Sequence, residues 1–191
     1  MSDIRGACAL YYSYQVRDAQ GRIKVPFRRR SCHSFVIAYI QLLYLKMAGA
    51  TSQSITDTGS TPRSVTVYHQ IQGDATAGTS AFGLVVGTGT TAEAFTQTAL
   101  TTQIAHGTGA GQLDYGASVV NLPSSDATST TMILTRVFAN SSGGSITVQE
   151  IGIYWRMSGS SWNMCIARDL ATIALSNGDQ LTLNYILKTT S

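Results

Sequence analysis

The chain has 191 residues and a formal net charge of +3, and only 12% of its residues are charged. This is about half of the usual share in a soluble domain, so hydroxyl groups, backbone or neighbouring subunits have to cover much of the surface. The three cysteines, Cys8, Cys32 and Cys165, are odd in number and far apart. That pattern argues against a disulfide framework and against a structural zinc site.

Charge is unevenly distributed along the chain. Residues 1–46 contain eight basic and two acidic residues, a net charge of +6, whereas the remainder has a net charge of −3. The basic end can therefore contact an acidic neighbour, or the acidic body of another subunit. The first residues do not resemble a signal peptide, and the longest apolar run, residues 35–47, is too short to cross a bilayer.

The N-terminal residues predict a β-hairpin. Residues 7–16 are rich in tyrosine and aliphatic residues, residues 18–21 contain turn signals, and residues 22–27 return as a second strand. Pro26 is then expected on a sheet edge or at a strand end, because proline has no backbone N–H to donate.

One amphipathic helix is predicted over residues 31–48. Ser31 or Ser34 can cap its N-terminus, and Gly49 follows the last periodic residue as a stop signal. The apolar residues recur at spacings of three and four and form a broad stripe: Phe35, Val36, Tyr39, Ile40, Leu42, Leu43 and Leu45 or Met47. A stripe this broad has to pack beneath a sheet or against another subunit.

Short β-strands are predicted through the rest of the chain. Residues 51–62 are expected to form a polar loop, and residues 92–106 fit either a short helix or an irregular segment. The predicted strands cover residues 64–71, 81–86, 112–120, 130–139, 145–155, 162–167 and 180–188. This spacing is typical of a mainly β fold, a jelly-roll-like antiparallel sandwich. We therefore predict a basic hairpin plus amphipathic helix over residues 1–49, acting as an attachment and assembly module, and a β-sandwich body over residues 50–191.

No motif in the chain predicts catalysis or a cofactor. Residues 87–92, Gly-Thr-Gly-Thr-Thr-Ala, match the spacing of a dinucleotide-binding fingerprint. The flanking segments lack the βαβ unit that the fingerprint requires, so a glycine-rich turn is favoured. The histidines His33, His69 and His106 show no metal-ligand spacing, and no nucleophile motif is present. We expect a protein that is not an enzyme and has neither a cofactor nor a metal.

The scattered acidic and aromatic residues favour structural roles. Asp57 and Asp74 are the best candidate pair for hydrolysis, but nothing else in the sequence supports them. Glu150 is expected to be a structural acid paired with Arg136 or Arg168, and a change of alternation beside it predicts a β-bulge. Four aromatic residues could form a sugar-stacking platform, although core or interface positions are commoner at strand ends: Tyr115, Tyr154, Trp155 and Trp162.

Three consecutive arginines, Arg28, Arg29 and Arg30, precede the predicted helix. They could bind phosphate near the helix N-terminus, contact another subunit or an acidic partner, or form a solvated basic loop. The chain has no larger basic face and no interleaved aromatic residues around them. Nucleic acid is therefore not the expected partner.

Several segments occur in an order that resembles virion proteins of tailed bacteriophages. GLVVGTGTTA at residues 83–92 is followed by TAL at residues 98–100 and by Ile104. The later segments are TRVF at 135–138, ITVQEIGIY at 146–154, IARD at 166–169 and LTLNYILK at 181–188. Their order and spacing resemble tail-fibre, baseplate-associated and other virion proteins of the type GTGTT…TAL…EIGLY…ARD…LTVTYTI. The resemblance covers about residues 82–190, more than half of the chain.

The resemblance implies a structural protein of the virion that assembles as a symmetric homo-oligomer and docks on the tail. A capsid decoration protein is the alternative, and a host-surface carbohydrate-binding module is a third interpretation. The expected partners are further copies of the chain and other tail or capsid proteins, rather than nucleic acid or a membrane. Residues predicted to contact them lie outside the resembling region: Arg28, Arg29, Arg30, Phe35, Tyr39, Leu42 and Leu43.

Overall fold

The computed structural model of the protein describes residues 8–32 and 35–190. Twelve strands and one helix follow one another along this part of the chain: β1 (Cys8–Arg17), β2 (Ile23–Ser31), α1 (Ile37–Ala48), β3 (Ser52–Thr56), β4 (Pro62–Thr66), β5 (Ile71–Gln72), β6 (Gly83–Gly87), β7 (Asp114–Val120), β8 (Ser124–Ser125), β9 (Ser129–Ala139), β10 (Ile146–Met157), β11 (Asn163–Leu175) and β12 (Gln180–Thr190). The mainly β fold with antiparallel sheets and one short helix confirms the predicted fold class.

Two sheets and a separate hairpin make up the architecture. The large sheet has the order β2-β1-β12-β9-β7, with β8 also paired to β9. In the small sheet β11 and β10 are neighbours, and both β5 and β6 pair with β10. Strands β3 and β4 form a two-stranded hairpin of their own, and helix α1 packs against β3 and β11.

The core lies between the two sheets. Alternate residues of β12, Leu181, Leu183 and Tyr185, are fully buried, as expected for a strand with one inward face. All five residues of β6 are buried, because β10 pairs with one edge of this strand and residues 102–104 bond along the other. Burying apolar area in this way supplies the main driving force for folding.

The predicted N-terminal hairpin is confirmed and is part of the large sheet. Strand β1 pairs with β12 over ten successive residues, from Cys8 opposite Thr189 to Arg17 opposite Gln180. Strand β2 is the outermost strand, so Pro26 lies on a sheet edge as expected. The large sheet therefore contains strands from both sides of the boundary proposed at residue 49.

The prediction of a polar loop over residues 51–62 was wrong in part, because this segment contains β3 and the turn that leads into β4. The turn is stabilised by Asp57, whose carboxylate accepts hydrogen bonds from the backbone N–H groups of Gly59 and Thr61. The strand predicted over residues 64–71 is also shorter than expected. It ends at Thr66, whose N–H donates to the ring of His69 rather than to another strand.

The helix begins later than predicted. Ser31 belongs to β2, Ser34 lies outside the described residues, and the N-cap is Val36, which makes no side-chain capping bond. Backbone groups from elsewhere in the fold replace the cap, since the Val36 N–H donates to Ile166 O at 3.0 Å and the Ile37 N–H to Phe95 O at 2.8 Å. The predicted stop at Gly49 is confirmed, with a left-handed φ of 62°.

Replacing Gly49 with alanine is expected to lower the free energy of unfolding by about 1 kcal/mol. No atom lies within 4 Å of the position that a Cβ would occupy, so the cost comes from the left-handed backbone alone. Urea unfolding measures the effect. Gly144→Ala is the control, because Gly144 also has open space around it but no positive φ. Equal losses in both variants would contradict this explanation.

Candidate assembly surface

Helix α1 has two apolar faces. Ala38, Leu42 and Leu45 are buried against the rest of the subunit. Successive residues are rotated by about 100° around a helix, and five exposed side chains fall within one arc on the opposite side: Ile37, Ile40, Leu43, Tyr44 and Met47. We call these five residues the α1 outer face. Met47 is its most exposed member, at 78%.

The α1 outer face continues into neighbouring apolar groups at two places. Phe95 is 69% exposed. Its backbone carbonyl accepts a hydrogen bond from the Ile37 N–H, so Phe95 lies at the N-terminal end of the face. An apolar groove of about 210 Å³ borders the helix near Leu43. Its lining residues are Tyr39, Leu42, Leu43, Lys46, Ile71 and Trp155.

No charge interrupts the α1 outer face. The helix contains no acidic residue, and Lys46 is its one basic residue. The Lys46 ammonium donates hydrogen bonds to the carbonyl oxygens of Val67 and His69, the latter at 2.8 Å. Its charge is therefore directed to a neighbouring loop and away from the exposed arc.

The four apolar residues predicted as partner contacts occupy different positions. Leu43 lies on the α1 outer face, whereas Leu42 is 3% exposed and belongs to the subunit's own core. Phe35 and Tyr39 are half-buried and stacked, with ring centroids 4.1 Å apart. The α1 outer face also contains Ile37, Ile40, Tyr44 and Met47, which were not among the predicted contact residues.

The arginine triplet is divided between the two faces of edge strand β2. Arg28 is paired with Tyr14 and Arg30 with Tyr12, so these side chains share the face of the sheet that points toward the core. Arg29 is on the opposite face, where its guanidinium stacks on Tyr11 with 4.7 Å between the guanidinium carbon and the ring centroid. Among the described residues, none of the three arginines forms an ion pair. Charged residues on an edge strand also oppose unwanted strand pairing.

The buried carboxylate of Glu150 forms hydrogen bonds with several segments that are distant in the sequence. Glu150, on β10, accepts hydrogen bonds from the backbone N–H groups of Gly89 (3.1 Å), Thr101 (2.9 Å) and Thr102 (2.7 Å). The Arg168 guanidinium donates to the same carboxylate at 2.7 Å, and both side chains are fully buried. Arg168 is thus the partner of Glu150, one of the two candidates predicted, and the expected bulge is present between Val148 and Glu150.

The remaining donors of Arg168 fix the loop formed by residues 88–104. They reach Gln97 Oε1 at 2.9 Å, Thr91 O at 2.8 Å and Thr101 Oγ1 at 3.1 Å. Burial raises the pKa of Glu150, but the Thr102 and Thr101 N–H groups and Arg168 outweigh it and hold that pKa below its usual value. The carboxylate is therefore ionised at neutral pH, and this polar cluster has a structural role.

The same cluster explains the glycine pattern of residues 87–92. A Cβ at Gly87 or at Gly89 would lie 2.5 Å from Glu150 Oε1, so only glycine allows the loop to approach the carboxylate. Strand β6 then continues into an irregular segment rather than into the helix of a dinucleotide-binding unit. Residues 88–94 form an irregular loop rather than the predicted glycine-rich turn.

The other candidate residues are engaged in local structure. The Asp57 carboxylate pairs with Arg63 at 2.6 Å, while Asp74 accepts the Val120 N–H at 2.7 Å. Tyr115 and Tyr154 are buried in the core, so the four aromatic residues do not form one exposed platform. No group of three or more potential metal ligands occurs within residues 8–32 and 35–190. The described part of the chain has no helix long and apolar enough to cross a membrane.

Comparison of the chain with protein families, with curated proteins and with solved structures finds no match.

Proposed function

We propose that the protein is a structural subunit that assembles into a symmetric homo-oligomer through the α1 outer face. The observation on which this proposal rests is the uncovered apolar arc of five large side chains, with Phe95 beside it. Each of these six residues is at least 43% exposed. Monomeric proteins rarely expose several large apolar side chains in one contiguous patch.

A second copy of the chain is the partner that fits this surface. A two-fold contact places the same patch on both subunits, so any charge on it would face its like. The α1 outer face has no charge, and the charge of Lys46 is engaged elsewhere. Each copy also offers both the protruding side chains of Tyr44 and Met47 and the apolar groove beside Leu43, which allows the ridge of one subunit to enter the groove of the other.

We further propose that this oligomer belongs to the virion of a tailed bacteriophage and docks on the tail, with capsid decoration as the alternative. The support is the resemblance of an ordered set of segments in this sequence to such virion proteins. Four of those segments, around Gly89, Thr101, Glu150 and Arg168, meet in one buried cluster. In this chain each of these segments supplies part of the same hydrogen-bonded unit.

The double variant Ile40→Glu, Met47→Glu is expected to be monomeric, while the wild-type protein forms an oligomer of fixed size. Two carboxylates per subunit would be buried without partners at the interface, and this costs far more than the apolar contact contributes. Analytical ultracentrifugation over a range of concentrations measures the change. The midpoint of thermal unfolding, measured at concentrations where both proteins are monomeric, should stay the same, since both side chains point to solvent within one subunit.

Leu122→Glu is the matched control, because Leu122 is 91% exposed and lies outside the α1 outer face. It should leave the oligomer unchanged. A wild-type protein that stays monomeric at high concentration would overturn the proposal. The copy number in the particle then separates the two locations, since a tail protein is present in a few symmetric copies and a decoration protein in hundreds.

A further inference from the structure

A polar cavity opens between the two sheets at the edge formed by β2 and β11. Its volume is about 340 Å³, within the range of ~300–1,000 Å³ that is typical of small-molecule sites. The large sheet contributes Tyr12 and Tyr14 from β1 and Arg30 from β2, and the small sheet contributes residues 170–172 of β11. Both sheets therefore hold the lining groups in fixed positions.

The polar side chains that line the cavity are one guanidinium, which only donates hydrogen bonds, and three hydroxyl groups, which can donate or accept them. Arg30 has five N–H donors and forms no ion pair with any described residue. The hydroxyl groups of Tyr14 and Thr172 make no hydrogen bond within the described part of the chain. The Tyr12 hydroxyl makes only a long bond of 3.4 Å to the Leu170 carbonyl.

Glu93 and Asp169 make hydrogen bonds beside β11 and do not line the cavity, although the charge of Asp169 acts on Tyr12. Glu93 accepts the Leu170 N–H at 2.7 Å, and Asp169 accepts the Tyr185 hydroxyl at 3.0 Å. Burial raises the pKa of Tyr12 to about 12, so its hydroxyl remains a donor at neutral pH. A cavity that is lined by a guanidinium and by hydroxyl groups, and by no carboxylate, favours a ligand that is negatively charged.

We propose that this cavity binds a small oxyanion-bearing ligand, a carboxylate or a phosphate, with Arg30 as the charged partner and Tyr14 and Thr172 as hydroxyl donors. Arginine forms paired N–H bonds to either oxyanion. The volume admits a ligand of monosaccharide size, so both a sugar acid and free inorganic phosphate meet this chemistry. The site does not depend on the α1 outer face, and its test is independent of the proposed assembly.

Saturation-transfer NMR with the full-length protein and sodium glucuronate tests the proposal, since it works for any oligomer size. We expect a saturable signal from glucuronate, its displacement by inorganic phosphate at constant ionic strength, and no signal from glucose. Arg30→Gln should weaken binding by about tenfold or more, the loss expected for a charge-assisted hydrogen bond. Tyr14→Phe should weaken it by a smaller factor.

Arg29→Gln is the matched control, because it removes the same charge from the same strand but on the opposite face. It should bind glucuronate as the wild-type protein does. Binding of phosphate alone, followed by ³¹P line broadening that is lost in Arg30→Gln, supports an inorganic anion as the ligand. Equal losses in the two arginine variants, displacement by glucose, or no binding of either anion would overturn the proposal.

Discussion

Replacing Arg168 with methionine is expected to lower the free energy of unfolding by about 3–5 kcal/mol, the cost of leaving one half of a buried ion pair without its partner. Methionine keeps most of the apolar volume but removes every donor. Glu150 then stays buried with three backbone N–H groups as its remaining partners. The loop of residues 88–104 also loses its bonds from the guanidinium at Gln97, Thr91 and Thr101. Urea unfolding followed by circular dichroism measures the loss.

The matched control for this prediction is Arg22→Met. Arg22 and Asp18 are separated by the same 2.7 Å as Arg168 and Glu150, but the Arg22 side chain is 77% exposed. Exposed pairs contribute about 0–1 kcal/mol, so this variant should remain close to wild type. The double variant Glu150→Leu, Arg168→Met should cost less than the sum of its two single variants, because no charge is then left unpaired. A loss below about 1 kcal/mol for Arg168→Met would contradict the structural role of the cluster.

Replacing Arg136 with methionine is expected to destabilise the fold by about 3 kcal/mol or more, because it leaves several buried carbonyl groups without a donor. Arg136 is fully buried and donates to the carbonyl oxygens of Gly116 (2.8 Å), Leu84 (2.8 Å), Phe82 (3.2 Å) and Thr79. These bonds join β9 to β6, to β7 and to the loop before β6. Burial lowers the pKa of Arg136 to about 10, which still leaves the guanidinium charged at neutral pH.

Lysine at position 136 should restore only part of this stability, since one ammonium group cannot reach carbonyl groups on three sides. The control is Arg156→Met, because Arg156 stacks on Phe82 at 5.5 Å and makes a single long hydrogen bond of 3.3 Å to Ser160 O at the surface. That variant should change the stability by less than about 1 kcal/mol. Unfolding of the Arg136→Met and Arg156→Met variants at the same urea concentration would show that the hydrogen bonds from Arg136 to carbonyl groups do not stabilise the fold.

The strands were predictable from the sequence where apolar and polar residues alternate. The strands β7, β9, β10 and β12 lie within a few residues of their predicted positions, because one face of each is buried in the core. Hairpin β3–β4 was partly missed, since Ile55 and Val65 are the only fully buried residues in its two strands. Strand β11 extends beyond its predicted end at residue 167, because Arg168 and Asp169 are buried and paired rather than exposed.

The candidate sites were less predictable because they depend on groups that are distant in sequence. The triplet at residues 28–30 was predicted to bind phosphate, to contact a partner or to form a solvated basic loop. It lies in strand β2, whose two-residue period places Arg29 on the face opposite to Arg28 and Arg30. The helix start depends on carbonyl groups of Phe95 and Ile166, which no local pattern reveals. The predicted pairing of Glu150 with arginine succeeded because a buried carboxylate requires a charged or multiply bonded partner.

The position of β1 between β2 and β12 determines when the large sheet can form during synthesis of the chain. Strand β1 can pair with β12 only after residues 180–190 have been synthesised. The large sheet therefore cannot form completely before that point of translation. Pairings across such a sequence separation make folding slow. During that interval the apolar residues of α1 and of the N-terminal strands remain accessible to chaperones.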